Sequence, residues 1–144
     1  MLPIYAATFW EVFWWAKRRR DRADAFAAAD ALATSLQRPL VIVGAPDRGV
    51  TSGYGCGDAA RSDVVVDIQP STCPNSMVAD ITKTLPFADD SVVVFVACVL
   101  EYVADVASAV SELMRISGGN CIFVTVEPWT LTAYMYPGAR TILT

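Results

Sequence analysis

The sequence predicts an α/β fold: a mostly parallel sheet with reduced helices, preceded by an N-terminal hydrophobic helix. Three observations carry this expectation. Short β-branched runs recur from Leu40 onward, a helical pattern joins the fourth run to the fifth, and the first three runs are linked by short stretches rich in glycine and proline. Runs that are apolar on both faces mark strands covered on both sides, as in a parallel sheet.

A chain of 144 residues suits one domain with a core of its own. Apolar residues make up 54% and charged residues 18%. The surplus apolar surface therefore calls for a membrane, a partner or an unusually dry core. The net charge of -4 leaves no basic excess for nucleic acid, and none is expected as a partner. The chain has no histidine, which excludes a Ser-His-Asp or Cys-His nucleophile built within it. Cys56, Cys73, Cys98 and Cys121 stand far apart with no CxxC pair. That spacing predicts neither a metal site nor a disulfide scaffold, and makes a reducing compartment the default.

Residues 1–20 read as a Trp-rich hydrophobic helix, MLPIYAATFWEVFWWA followed by Lys17-Arg18-Arg19-Arg20. Trp10, Trp14 and Trp15 next to a basic border fit a helix that meets a membrane surface. The apolar run falls short of the ~20 residues of a span and carries Glu11. Its charges follow the apolar stretch, the reverse of a signal peptide. Met1–Arg20 is thus expected to contact a membrane or a membrane-protein complex, with the body on the cytoplasmic face. The alternative is a helix that covers the domain's own sheet. Residues 21–38 form an alanine-rich second helix, with Phe26, Ala29, Leu32, Ala33 and Leu36 at helical spacing and Arg38-Pro39 as its stop.

Residues 39–144 hold the α/β domain. Its strand runs are LVIV (40–43), DVVVDI (63–68), SMVADI (76–81), VVVFVA (92–97) and CIFVTV (121–126). Between the last two, Asp105 can cap a helix whose apolar stripe is Val106, Ala109, Val110, Leu113 and Met114, stopped by Gly118-Gly119. In open parallel sheets ligands bind beyond the carboxyl ends of the strands. Asp67, Asp80, Cys98 and Glu127 stand at those ends. An aspartate there can accept hydrogen bonds from ribose hydroxyls or an adenine amino group, or can simply cap a loop.

From about Val64 to Trp129 the chain resembles class I S-adenosylmethionine-dependent methyltransferases of the small type 11 kind. The resemblance rests on Leu85-Pro86-Phe87-Ala88-Asp89-Asp90-Ser91 and Val99-Leu100-Glu101-Tyr102-Val103, in the family's order and spacing after the acidic residue Asp80. It implies a Rossmann-like, methyltransferase-like sheet and S-adenosylmethionine as cofactor. It also implies that Asp67, with Ile68 after it, holds the ribose hydroxyls and that Asp80 and Ile81 face the adenine. Cys98 and Val99 would line the methionine end, and the first loop would start at Gly44.

The sequence departs from that pattern in places. Gly44-Ala45-Pro46-Asp47-Arg48-Gly49 replaces the family's glycine loop, and Pro46 removes one backbone N–H from it. Two crossover helices are shortened or lost, and Tyr102 stands where the family has histidine. The better letter match to a glycine loop, Gly53-Tyr54-Gly55-Cys56-Gly57-Asp58, comes too close to the second run. It is expected to replace a lost helix as a glycine-rich connection or hairpin over the mouth of the site.

Two functions follow from these readings. One is a membrane-associated accessory or structural subunit on a degenerate methyltransferase fold that has lost its cofactor, bound to a protein partner. The other is an active S-adenosylmethionine-dependent methyltransferase acting on a small or lipid-like acceptor. Thr130–Thr144 would supply closing strands or a partner-binding tail.

Overall fold

The computed structural model describes residues 2–48 and 53–125. The expectations for Glu127 and Thr130–Thr144 lie outside these residues. Helix α1 (Leu2–Leu36) precedes a five-stranded, wholly parallel sheet. Its strands are β1 (Leu40–Val43), β2 (Val64–Asp67), β3 (Ser76–Val78), β4 (Val93–Ala97) and β5 (Cys121–Val124), in the spatial order β3-β2-β1-β4-β5. Helix α2 (Val106–Ser117) links β4 to β5. This is a Rossmann-like α/β sheet, reversing its strand order at β1.

The central strands β1 and β4 are buried along their whole length. Their side chains alternate between two cores. Val41, Val43, Val94 and Val96 face α2 through Ala109, Leu113 and Ile116. Leu40, Ile42, Val93, Phe95 and Ala97 face α1 through Ala29 and Ala33. Edge strand β3 is shorter than its apolar run, ending at Val78, so Asp80 and Ile81 sit in the turn that follows.

α2 has the expected ends. Asp105 accepts hydrogen bonds from the Ser108 N–H (3.0 Å) and hydroxyl (2.6 Å). Gly118 adopts a left-handed φ of 60° and donates its N–H to the Met114 carbonyl. The stripe is rotated from expectation: Met114 is exposed and Ile116 is buried in its place.

The two expected N-terminal helices are one. Lysine and arginine are good helix formers, so the basic run does not break the helix. Lys17 pairs with Asp21 one turn on, across the expected border. Only the Gln37–Pro39 stretch stops it, with Gln37 in a left-handed conformation. On the packing face Ala29 and Ala33 are buried and Phe26 and Leu32 half-buried, while Leu36 is exposed. α1 runs antiparallel to the strands. Asp30 and Thr34 lie beside Arg61, just before β2, Phe26 meets Phe95 in mid-β4, and Arg22 reaches Cys98 past the end of β4.

In the described residues between β1 and β2 there are only two 3₁₀ turns, Pro46–Arg48 and Ala59–Arg61, and no α-helix. β2 and β3 are joined by eight residues, 68–75, without a helix, where a parallel crossover ordinarily needs a dozen or more. The glycine-rich hexapeptide does not lie over the mouth of the site. It packs on the α1 face, where Tyr54 stacks on Phe26 (5.5 Å between centroids) and meets Phe95 edge-on (5.0 Å). Burial pushes the Tyr54 hydroxyl up to about 12, so the ring enters the core uncharged.

The reading that the cysteine spacing suggests no disulfide is also corrected, since Cys56 and Cys73 form one with Cα atoms 5.5 Å apart. They are 17 residues apart in sequence. The fold brings them together because both helix-free connections are drawn over the same sheet face.

These connections are fastened by the buried carboxylate of Asp63. Oδ1 accepts from the Leu40 N–H (2.8 Å) and Arg61 Nε (2.9 Å), and Oδ2 from the Asp58 N–H (2.6 Å) and Arg61 Nη2 (2.7 Å). Arg61 continues to Asp30 Oδ1 (2.5 Å) and Thr34 Oγ1 (2.7 Å) on α1. Gly57 makes room for this: its φ is +84°, and a Cβ there would fall 2.7 Å from that of Asp63. Removing one partner of a buried ion pair costs ~3–5 kcal/mol. Asp63→Ala is therefore expected to lower the unfolding free energy measured in urea by about that much, whereas Asp89→Ala, which removes an exposed partner of Arg115, should lose less than ~1 kcal/mol.

Candidate functional site

A cleft of about 340 Å³ opens at the carboxyl edge of the sheet, where β1, β2, β3 and β4 end on the α2 side. Six of the seven residues proposed from sequence line it: Gly44, Asp67, Ile68, Asp80, Ile81 and Val99.

Gly44 follows β1 with a φ of +93° and donates its N–H to the Val66 carbonyl (2.9 Å). A Cβ at this position would stand 2.6 Å from Val99 Cγ2. Glycine is thus required twice, for its backbone conformation and for the close approach of Val99. The next N–H, that of Ala45, donates to Asp67 Oδ2 (2.8 Å), and the Gln69 N–H donates to Asp67 Oδ1 (2.9 Å). The Asp67 carboxylate is therefore fixed at the end of β2, and each oxygen retains a lone pair for a ligand hydroxyl.

Asp80 Oδ1 accepts the Thr82 N–H (2.9 Å) and hydroxyl (2.7 Å). These bonds hold its carboxyl below the usual range, and those from Ser108 do the same for Asp105. Both are ionised at neutral pH, and no lysine or arginine is among the described residues that line the cleft. Ile81 is buried beneath the cleft and Ile68 is exposed at its rim.

Asp47, one turn past Gly44, ties the first connection to the second. Its carboxylate accepts from the Thr72 N–H (2.7 Å), the Thr72 hydroxyl (2.8 Å) and the Ser71 hydroxyl (2.9 Å). The Thr72 bonds, with help from Ser71, hold its pKa at about 2.

Cys98 is not part of this cleft. Strict alternation along β4 would send it to the α2 side, but its φ of +54° breaks the alternation. Its sulfur turns to the α1 side, 3.9 Å from Arg22 Nη1, in a separate hollow of about 250 Å³ shared with Arg18, Phe123 and Thr125. Conversely, Thr82, Tyr102, Val103 and Asp105 line the cleft without having been singled out for it. Tyr102 and Val103 arrive through a 3₁₀ turn, Leu100–Tyr102, that carries no strong local signature. The signal available was positional: Tyr102 stands where the resemblance implies a histidine, and Asp105 caps α2 beside the cleft.

A family model described as a methyltransferase domain matches residues 49–123, more than half of the chain. The chain belongs to that methyltransferase family. The matched segment contains Asp67, Asp80 and Val99 and begins after Gly44. Comparison with curated proteins and with solved structures gives no match.

The segment 85–91 that carries the family resemblance has a structural role in this methyltransferase domain. Leu85 donates its N–H to Glu112 Oε1 (2.7 Å), and Arg115 donates to the carbonyls of Leu85 (3.2 Å) and Phe87 (3.1 Å). The turn is thereby locked to α2, and the cleft floor with it.

Gly44→Ala is expected to lose ~2–4 kcal/mol in urea unfolding, ~1–2 from the left-handed backbone and the rest from overlap with Val99. Adding Val99→Ala should restore the overlap part only. Simple additivity of the two substitutions would contradict the close approach.

Proposed function

We propose that this methyltransferase-family chain binds S-adenosylmethionine in the carboxyl-edge cleft, chiefly through the adenosine half, and does so at a membrane surface. The convergence of Gly44, Asp67 and Asp80 on one cleft carries this reading. A fixed carboxylate at the end of β2 suits the two ribose hydroxyls, and the ionised Asp80 suits an adenine amino group. Ile81 and Val99 offer apolar surface to a purine. The acidic lining also favours a cofactor that carries a sulfonium cation.

The accessory-subunit reading is favoured by a different observation. Among the described residues no α-helix follows β1, so no helix N-terminus faces the carboxylate end of the cofactor. Under that reading the cofactor is not held and no turnover follows. Where turnover occurs, catalysis rests on holding donor and acceptor in line, because methyl transfer needs no obligatory base.

The membrane part rests on α1. Phe9, Trp10, Val12, Phe13 and Trp15 are all exposed, from 43% to 74%, and Arg19 and Arg20 follow, also exposed. No helix among the described residues is long and apolar enough to cross a membrane, so contact is interfacial. The basic border favours a body on the cytoplasmic face, where the leaflet is anionic.

Isothermal titration with S-adenosylmethionine is expected to give saturable binding. Asp67→Asn and Asp80→Asn should each weaken it about tenfold or more, the worth of a hydrogen bond to a charged group. Absence of binding at millimolar cofactor would leave the accessory reading alone. In co-sedimentation with vesicles containing phosphatidylglycerol, the double change Arg19→Glu, Arg20→Glu should weaken binding by at least ~2 kcal/mol, roughly 30-fold. Binding unchanged by that reversal would remove the basic collar from the proposal.

A further inference from the structure

Where α1 leaves the sheet fixes what the cleft can face. Its antiparallel course places Arg22 level with Cys98, just past the end of β4, and Arg18 and Arg22 share a hollow with Val124 and Thr125 at the end of β5. The residues before Arg22 therefore continue beyond the carboxyl edge. At 1.5 Å per residue, Trp15 stands about 10 Å and Phe9 about 20 Å past that level. Phe9, Trp10, Val12, Phe13 and Trp15 are exposed on several sides of this segment, while Trp14 is half-buried and Arg18 is buried where the helix still meets the domain. The cleft opens at the same edge, with Ile68 (69% exposed) and Tyr102 on its rim.

Charge selects the occupant of this edge. The chain as a whole carries -4, yet its segment 9–22 holds Lys17, Arg18, Arg19, Arg20 and Arg22 against Glu11 and Asp21. Aromatic residues beyond a basic collar match an anionic bilayer, with the rings among the acyl chains and the collar at the head groups.

Resting on the membrane reading above, we infer that the carboxyl edge, including the mouth of the cleft, faces an anionic bilayer, so that the second ligand of the cleft is an amphiphile drawn from that bilayer and not a solute from bulk water. Anchoring holds the mouth beside the leaflet and raises the local concentration of membrane-borne molecules over dissolved ones. The apolar rim meets the interface first, and Asp67 and Asp80 stand half-buried behind it.

Amide hydrogen exchange on the unmodified chain, with and without phosphatidylcholine vesicles containing phosphatidylglycerol, tests this. Several-fold slower exchange is expected in residues 9–20 and also at 68–70 and 102–105, while the opposite edge, 60–63 and 88–91, stays unchanged. Protection of residues 9–20 with none at the cleft rim would overturn the inference and leave the membrane reading intact. Equal protection of both edges would overturn it as well. No protection anywhere would overturn both.

Discussion

Four hydrogen bonds converge on the buried carboxylate of Asp63, and the arrangement of the other elements depends on them. The carboxylate holds the first N–H of β1, the N–H of Asp58 and the guanidinium of Arg61, which in turn grips α1. With no α-helix among the described residues between β1 and β3, the sheet must be fixed to α1 by other means. Here a charge removed from water does so, and it is tolerable only because each of its oxygens is matched by donors. The glycine-rich hexapeptide serves this centre. Gly57 leaves room for Asp63, Asp58 caps the following turn, and Tyr54 fills the core under α1.

The cleft is a consequence of the opposite side of the sheet. With β1 held from below, Gly44 and Ala45 are presented to Val66 and Asp67 at fixed distances, and the α2-locked turn carries Asp80 and Thr82 to the same place. The two faces therefore divide the labour. The α1 face supplies cohesion through packed rings and a crosslink, and the α2 face supplies the polar groups. The long helix α1 lies outside the residues that the methyltransferase family model matches, whereas the loops packed beneath it lie within them.

How much of this could be read in the sequence depends on how local each cause is. The five runs, the Asp105 cap and the Gly118 stop were legible because strand apolarity and helix capping act over a few residues. Asp67 and Asp80 were legible because a parallel sheet puts its polar residues at the carboxyl ends, whereas Gly44, Ile68, Ile81 and Val99 were reached only through the family resemblance. Cys98 was misplaced because a single left-handed residue cancels an alternation that is otherwise reliable. The helix border at 20/21 was misread because a change in polarity is not a change in backbone preference. The disulfide and the position of Tyr54 were out of reach, since both arise from distant loops meeting over one sheet face.

That crosslink gives the domain a property that its sequence spacing did not suggest. Cys56 and Cys73 join the two helix-free connections, and closing a loop of this size removes denatured-state entropy worth ~3 kcal/mol. Stability thus becomes a function of the reduction potential of the surroundings. On an oxidising side of a membrane the loops are bolted to each other. On a reducing side the same loops are held by Asp47 with Ser71 and Thr72, and two thiols are left against the α1 core. The ratio of folded to unfolded chains then differs by about two orders of magnitude between the two sides.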